Sequence, residues 1–465
     1  MIVSPAFAGK RYAVLGLARS GMTAVRSLLA SGAHVMAWDS RDEPRQALLR
    51  DCEAGTCEIA DPTSADLSGY DGVVVSPGVP LNSHPIAAAA ARAGVPVIGD
   101  IELFALARAS LPEHRVVGIT GTNGKSTTTA LVRHLLEKAG VPARMGGNIG
   151  LPILGTVPLE PNANGSGVYV LELSSYQIDL THSLDCDVAA LLNVTPDHLD
   201  RYDGFAAYAA SKARLFAMQT PGHAAVFGKG DAQTLGVARR EEARREGKGV
   251  ARVDGADLDA LQKDWPSLQG PHNLQNAAVA IAIVEALGIA RADWEPGLCD
   301  FRGLPHRMEC VARADGVDYI NDSKATNPAS AAPAIAAFPP DPAPRIHWIV
   351  GGLPKGEDLD ECKPWFGHIK AAYTIGDAGP LFAEILEPYT PIVRSEMMAQ
   401  AIRQAMDAAV PGDVVLLSPA CASFDQFRDY EARGEAFRQI VEALLAPEDG
   451  DAKDGEGRGQ GGAAG

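Results

Sequence analysis

Residues Val116–Thr129, VVGITGTNGKSTTT, restrict the fold more than any other stretch of this chain. The β-branched and aliphatic run predicts a buried strand, and Gly124-Lys125-Ser126 opens a helix directly after a glycine-rich turn. A strand that feeds a helix in this way belongs to an α/β layer, because parallel strands need a crossover connection. The composition also has a chemical reading. Glycines let a triphosphate approach the backbone, and the N–H groups and helix dipole bind it. The Lys125 ammonium reaches the β- and γ-phosphates, and the Ser126 hydroxyl can meet Mg²⁺. Gly121, Thr122, Asn123, Gly124, Lys125, Ser126 and Thr127 are therefore the candidate ATP cradle. Ile119 stands where the generic phosphate-loop pattern has its first glycine, a departure from the common form.

Strand and helix signals alternate along the whole chain in three blocks. The first carries strands at Arg11–Gly16, Ala33–Asp39, Gly72–Ser76 and Val95–Ile98; the second at Arg115–Ile119, Val168–Glu172 and Val188–Asn193. The third carries Val317–Ile320, Ile346–Val350, Ala371–Ile375 and Val414–Leu417, and closes with a long helix from near Phe424 to near Leu445. Leu111-Pro112 and Gly303-Leu304-Pro305 are the expected boundaries. The expected fold is α/β with three domains: Rossmann-like over 1–110, a central P-loop-type ATP-binding domain over 111–305, and a Rossmann-like C-terminal domain over 306–446. Residues 447–465 are charged, glycine-rich and without an apolar anchor, as in a disordered tail. The charge-dense stretch Arg239–Lys248 reads as exposed.

The formal net charge of −17, with no basic stripe, argues against nucleic acid as a partner. No apolar run reaches the roughly 18–20 residues that span a bilayer, and Met1–Lys10 lacks the features of a secretory signal. Seven scattered cysteines without a C-x-x-C fit a reducing cytoplasm rather than a disulfide framework or zinc knuckle.

Other residues gain interest from their places. Glu172 ends the apolar strand VYVLEL, where a carboxylate beside a phosphate loop suits hard Mg²⁺. Asp197, His198 and Asp200 cluster after the next strand. Lys212, in YAASKARLF, reads on pattern alone as a surface lysine of an amphipathic helix. Gly16-Leu17-Ala18-Arg19-Ser20-Gly21 is a degraded dinucleotide fingerprint with Asp39 ending the next strand.

Five segments in order resemble the Mur ligase and folylpolyglutamate synthetase superfamily: GTNGKST (Gly121–Thr127), NVTPDHLDRY (Asn193–Tyr202), GLPHR (Gly303–Arg307), NDSKATN (Asn321–Asn327) and LSPACASFDQF (Leu417–Phe427). The resemblance implies an ATP-dependent ligase that activates a carboxylate as an acyl phosphate. SPACASFDQF and the absence of a D-N-P-R stretch argue against a ligase of the superfamily that adds diaminopimelate, lysine or a folate glutamate, and the resemblance implies UDP-N-acetylmuramoyl-L-alanine and D-glutamate as substrates, and a cytoplasmic monomer in peptidoglycan precursor synthesis. It implies two Mg²⁺ ions held by Ser126, Glu172, His198 and Lys212, the lysine as a CO₂ carbamate, with Lys125, His198 and Lys212 catalytic. It carries Asn273, Asn276, Arg307, Asp322 and Lys324 over to ATP. Arg19, Ser20, Asp39, Ser40, Arg41, Ser76, Asn148 and Ser174 go to the UDP substrate, and Thr326, Lys355, Ser423 and Tyr430 to glutamate. Tyr430 stands where the family commonly has phenylalanine.

Two other classes compete. A dinucleotide-dependent oxidoreductase accounts for the first block but leaves Gly124-Lys125-Ser126, Glu172 and His198 without a role. A non-catalytic nucleotide-binding regulator would have lost one of the acyl-phosphate residues, and each is in place.

Overall fold

The computed structural model describes residues 1–51, 57–195, 201–354 and 356–446. Strands β1 (Arg11–Leu15), β2 (His34–Trp38), β3 (Cys57–Ile59), β4 (Gly72–Val75) and β5 (Val97–Ile98) form a parallel sheet in the order β3-β2-β1-β4-β5. Strands β6 (His114–Thr120), β7 (Ala143–Gly147), β8 (Gly167–Glu172), β9 (Val188–Leu191), β10 (Ala224–Gly228) and β11 (Val250–Val253) form a second, in the order β11-β10-β9-β6-β8-β7. The third contains β12 (Glu309–Ala314), β13 (Val317–Asn321), β14 (Ile346–Gly351), β15 (Ile369–Ile375), β16 (Ile392–Glu396) and β17 (Val414–Leu417), ordered β12-β13-β17-β14-β15-β16. There β12 runs antiparallel to β13 and the other pairs are parallel.

The chain divides into two compact units, one spanning Met1–Leu304 and one beginning at Pro305. The first unit holds two sheets. Phe104, on the helix Asp100–Ala107 that follows β5, meets Tyr169 of β8 edge-on with ring centroids 5.1 Å apart. The buried Glu102 carboxylate accepts the backbone N–H of His182 (2.7 Å) and of Ser183 (2.9 Å) and the Ser183 hydroxyl (2.7 Å). A buried carboxylate with three donors is well satisfied, and removing it would strand all three. Strands β8 and β9 are buried along their whole length, as expected where helices cover both faces of a parallel sheet.

Two expectations need correction. The last helix is Tyr430–Leu445, starting six residues after Phe424, because the Asp429 side chain caps it by accepting the Ala432 N–H at 2.7 Å. The stretch Arg239–Lys248 is not wholly exposed. Much of it belongs to the helix Ala232–Arg244, and Glu241 and Arg245 are buried partners at 3.0 Å, with Arg245 also donating to the Gln219 side chain at 2.6 Å. The proposed tail, 447–465, lies outside the described residues.

Candidate active site

In the second sheet β6 lies between β9 and β8, so the loop after it opens at the point where the strand order reverses, the usual ligand position in open α/β sheets. That loop leads into the helix Lys125–Lys138, whose N-cap, Gly124, has φ +83°. A Cβ there would lie 2.1 Å from the Asn276 side-chain oxygen, so glycine is required by both backbone and space. Asn276 and Asn273, on the helix Pro271–Ala286, join through their side-chain amides at 3.2 Å, and Asn276 thereby packs on the loop. Thr122 N–H donates to the Asn193 carbonyl (2.9 Å) and Asn123 N–H to the Asn193 side chain (2.8 Å). The Thr122 hydroxyl lies 3.2 Å from the Tyr208 hydroxyl and accepts the Thr195 N–H at 3.0 Å.

Lys125 Nζ donates to the carbonyls of Gly121 (3.0 Å) and Thr122 (2.8 Å). Lys212 Nζ donates to the same Gly121 carbonyl at 2.8 Å and sits 4.5 Å from the Tyr208 ring centroid. Lys212 is 1% exposed, which overturns its reading as a surface lysine: its helix, Gly204–Ala217, presents it to the loop rather than to water. Ser126 is buried in the first helical turn and Thr127 is half-buried.

Glu172 ends β8, paired with Ile119 of β6, and is 2% exposed. Its Oε1 accepts the Asn148 side-chain amide at 2.9 Å, and its Oε2 is buried without a hydrogen-bond partner. The backbone of Asn148 also donates to the Glu172 carbonyl at 2.9 Å. Gly147 makes this approach possible, since a Cβ there would lie 2.2 Å from the Glu172 carbonyl oxygen. A buried carboxylate oxygen with nothing to accept is costly unless a cation or donor meets it, so Glu172 fits a hard metal ion. Among the described residues no three His, Cys, Asp or Glu side chains converge to hold a metal. His198 lies outside the described residues, as do Asp197 and Asp200.

The loop bearing Asn148 also meets the first sheet. Arg19 donates to the Gly150 carbonyl at 3.0 Å, and Arg19 and Leu151 line a cavity of about 480 Å³ with Leu17, Met22, Arg26 and Glu43. Asp39 accepts the Leu17 N–H (2.8 Å) and the Arg41 N–H (3.0 Å). Burial pushes its carboxyl up, but these two amides and the Arg41 guanidinium outweigh it and hold the group below the usual carboxylate range. Ser76 donates to the Gly16 carbonyl at 2.9 Å, Ser20 is half-buried at the start of the helix Arg19–Ala30, and Ser40 is exposed. A Cβ on Gly21 would lie 1.8 Å from the Gly16 oxygen, so two glycines of the degraded fingerprint are required although Ala18 replaces the middle one. Ser174 caps the helix Ser175–Asp179 in a reciprocal arrangement with Gln177.

In the second unit, Arg307 sits between His306 and Met308, which have φ of +63° and +45°. The buried Asp322 accepts the Met308 N–H (3.2 Å) and the Ser418 hydroxyl (2.8 Å), and burial pushes its carboxyl up to about 7. Lys324 Nζ donates to the Tyr430 hydroxyl at 3.0 Å. Ser423 is buried and Thr326 half-buried, while Lys355 lies outside the described residues. Sequence reasoning missed Arg433. It is 1% exposed and donates to Ser323 Oγ (3.0 Å) and to the carbonyls of Ser323 (2.8 Å), Cys421 (3.0 Å) and Ala422 (3.2 Å). It also missed Asp231, which accepts the Val194 N–H at 3.0 Å while capping the helix Ala232–Arg244. Asp231 had a readable cap signal; Arg433 had none, because an arginine on a polar helix ordinarily faces water.

Residues 10–99 match the Mur ligase MurD-like N-terminal domain, 119–284 the Mur ligase middle domain, and 306–421 the Mur ligase glutamate ligase domain. The chain is 67% identical to the UDP-N-acetylmuramoylalanine–D-glutamate ligase of Novosphingobium aromaticivorans, covering 98% of this chain and 99% of that one. It is 60% identical to the enzyme of that name from Sphingopyxis alaskensis, covering 96% and 100%. A UDP-N-acetylmuramate–alanine ligase from Thermotoga maritima has a similar fold, with TM-score 0.51, 16% identity, and 94% and 99% of the two chains covered. No helix among the described residues is long and apolar enough to cross a membrane.

Proposed function

The chain belongs to the Mur ligase family, and on that premise we propose that it joins D-glutamate to UDP-N-acetylmuramoyl-L-alanine, with conversion of ATP to ADP and phosphate, in peptidoglycan precursor synthesis. The observation that carries this reading is the phosphate loop with two lysines on one carbonyl, beside a strand-end Glu172 with an unpartnered buried oxygen. Residues 1–110 serve the UDP substrate, 111–305 the nucleotide, and 306–446 the amino acid. The enzyme acts as a cytoplasmic monomer.

The substrate's terminal carboxylate oxygen attacks the γ-phosphorus, the bond to the β-phosphate oxygen breaks, and an acyl phosphate forms. The glutamate amine then attacks the acyl carbon, the C–O bond to phosphate breaks, and the amine gives up a proton. Lys125, with the loop N–H groups, offsets the charge that develops on the transferring phosphoryl group. Asn273 and Asn276 of the first unit are assigned to the nucleotide, and so are Arg307, Asp322 and Lys324 of the second. Asn148 orients Glu172 through its amide and, with Arg19, Ser20, Asp39, Ser40, Arg41, Ser76 and Ser174, serves the UDP substrate. Thr326, Lys355, Ser423 and Tyr430 receive glutamate.

Ser126, Glu172, His198 and Lys212 would hold Mg²⁺, with Lys212 as its carbamate; the metal supplies neutralising charge to the phosphates. A lysine carbamate keeps one N–H, which suits the Lys212 bond to Gly121.

ADP release, measured with UDP-N-acetylmuramoyl-L-alanine and with D-glutamate, L-glutamate and other amino acids offered separately, tests the assignment. Turnover should require D-glutamate. Equal turnover with L-glutamate, or none with any amino acid, refutes it.

A further inference from the structure

Lys324 and Tyr430 are brought together by the fold across more than a hundred residues. Lys324 follows β13, and Tyr430 begins the helix Tyr430–Leu445. The Lys324 ammonium donates to the Tyr430 hydroxyl at 3.0 Å and lies 4.6 Å from the centroid of its ring. One side chain thus offers the cation both an acceptor oxygen and a π face.

The backbone around this pair is fastened without the hydroxyl. Ser323 Oγ donates to the Tyr430 carbonyl at 2.8 Å, Arg433 reaches Ser323 twice, and the Asn321 amide donates to the Gly434 carbonyl at 3.0 Å. The loop 321–324 and the first turn of the last helix are therefore joined by side-chain-to-backbone bonds that a phenylalanine at 430 would leave intact. What the hydroxyl adds is an anchor for the end of Lys324. A lysine carries its charge on a flexible four-carbon stem and loses much rotamer freedom when it must hold one position. Burial pushes the Tyr430 phenol up to about 12, so at neutral pH it is a neutral oxygen that accepts the ammonium N–H.

We propose that Tyr430 is a positioning residue for Lys324: its hydroxyl and ring fix the ammonium in the place from which it serves the nucleotide, so the side chain assigned to the glutamate site acts through a side chain assigned to ATP. This rests on the assignment of Lys324 to ATP given above. It places one residue in both substrate subsites of the second unit, with the hydroxyl turned to Lys324.

The test is a double-mutant cycle with Tyr430→Phe, Lys324→Ala and the pair, reading steady-state constants for ATP and D-glutamate and the melting temperature. A hydrogen bond to a charged group corresponds to roughly a ten- to hundredfold effect. Tyr430→Phe should therefore lower kcat/KM for ATP by about tenfold or more, leave the glutamate KM within about twofold, and melt as wild type does. In the Lys324→Ala background the same substitution should add nothing. A full loss in that background, a selective rise in glutamate KM, or a fall in melting temperature with all constants affected alike would each overturn the proposal. So would a Tyr430→Phe enzyme equal to wild type while Lys324→Ala is impaired. If Lys324→Ala itself keeps full ATP affinity and turnover, the assignment of Lys324 to the nucleotide fails first, and the proposal falls with it.

Discussion

Lys125 and Lys212 donate to one and the same atom, the Gly121 carbonyl oxygen, at 3.0 and 2.8 Å. The two arrive from different helices, and Lys212 is buried. Two ammonium groups this close repel each other unless an anion lies between or beside them. The arrangement suits a loop that receives a triphosphate. Lys125→Ala removes the charge aimed at the transferring group and should slow ligation by roughly 10²–10³ with the fold intact. ADP release measured with all substrates, next to a melting curve, checks this; activity within tenfold of wild type would take Lys125 out of phosphoryl transfer.

Carbamylation of Lys212 would turn that repulsion into attraction. Lys212→Ala should then lose most activity, and a small carboxylate such as formate should restore part of it by supplying the missing oxygen anion. The check is a formate titration of the variant, alongside wild type stripped of and resupplied with bicarbonate. A fully active Lys212→Ala enzyme in bicarbonate-free buffer removes the carbamate from the mechanism.

Asp100 gives a pH-dependent stability. It is buried, its Oδ2 has no partner, and burial pushes its carboxyl up from 3.8 to about 6. A raised folded-state value means that the folded chain holds the proton more tightly. Its contribution is complete below about pH 4, declines as pH rises to about 6, and is gone above that. Asp100→Asn cannot ionise, so its stability relative to wild type should climb by about 2–3 kcal/mol between those limits and stay level beyond them. Denaturant melts of both proteins from pH 4 to 8 measure the slope, and a constant difference would show that Asp100 is not ionising in this range.

Arg433 ties residues 421 and 422 to Ser323 by four hydrogen bonds, and burial pulls its guanidinium down to about 10. Arg433→Ala leaves the Ser323 and Cys421 carbonyls without their donor, at about 1–3 kcal/mol each where no water replaces it, while the Ala422 carbonyl keeps the Leu353 N–H at 3.0 Å. The second unit should melt earlier, and the glutamate KM should rise because Ser423 loses its support. Arg433→Lys, which restores the charge but not the planar fork, should recover only part of either effect.

The phosphate loop was legible in the sequence because its constraints fall on residue identity: Gly124 can bear no Cβ against Asn276, and the strand before it carries the buried run Val116–Ile119. Glu172 was legible as a strand end. Lys212 was not, because its burial depends on the Gly121 carbonyl, 91 residues away along the chain, while its own helix, with Tyr208 one turn before it, reads as ordinarily amphipathic. Arg433 was hidden for the same reason, since its partners at 323 and 421–422 become neighbours only in the folded unit. Strands β3, β7, β10, β11, β12 and β16 escaped notice; all are short, and all lie at or beside sheet margins, where burial asks less of the sequence.

In the third sheet β17, the last strand along the chain, lies between β13 and β14. During synthesis the five earlier strands of this sheet emerge before the one that joins them, so the second unit must wait as two separate parts until residues 414–417 leave the ribosome. The first unit, with all its strands encoded before residue 254, can fold much sooner. A chain that stopped before Val414 would thus hold its nucleotide loop formed and the third sheet split at its middle.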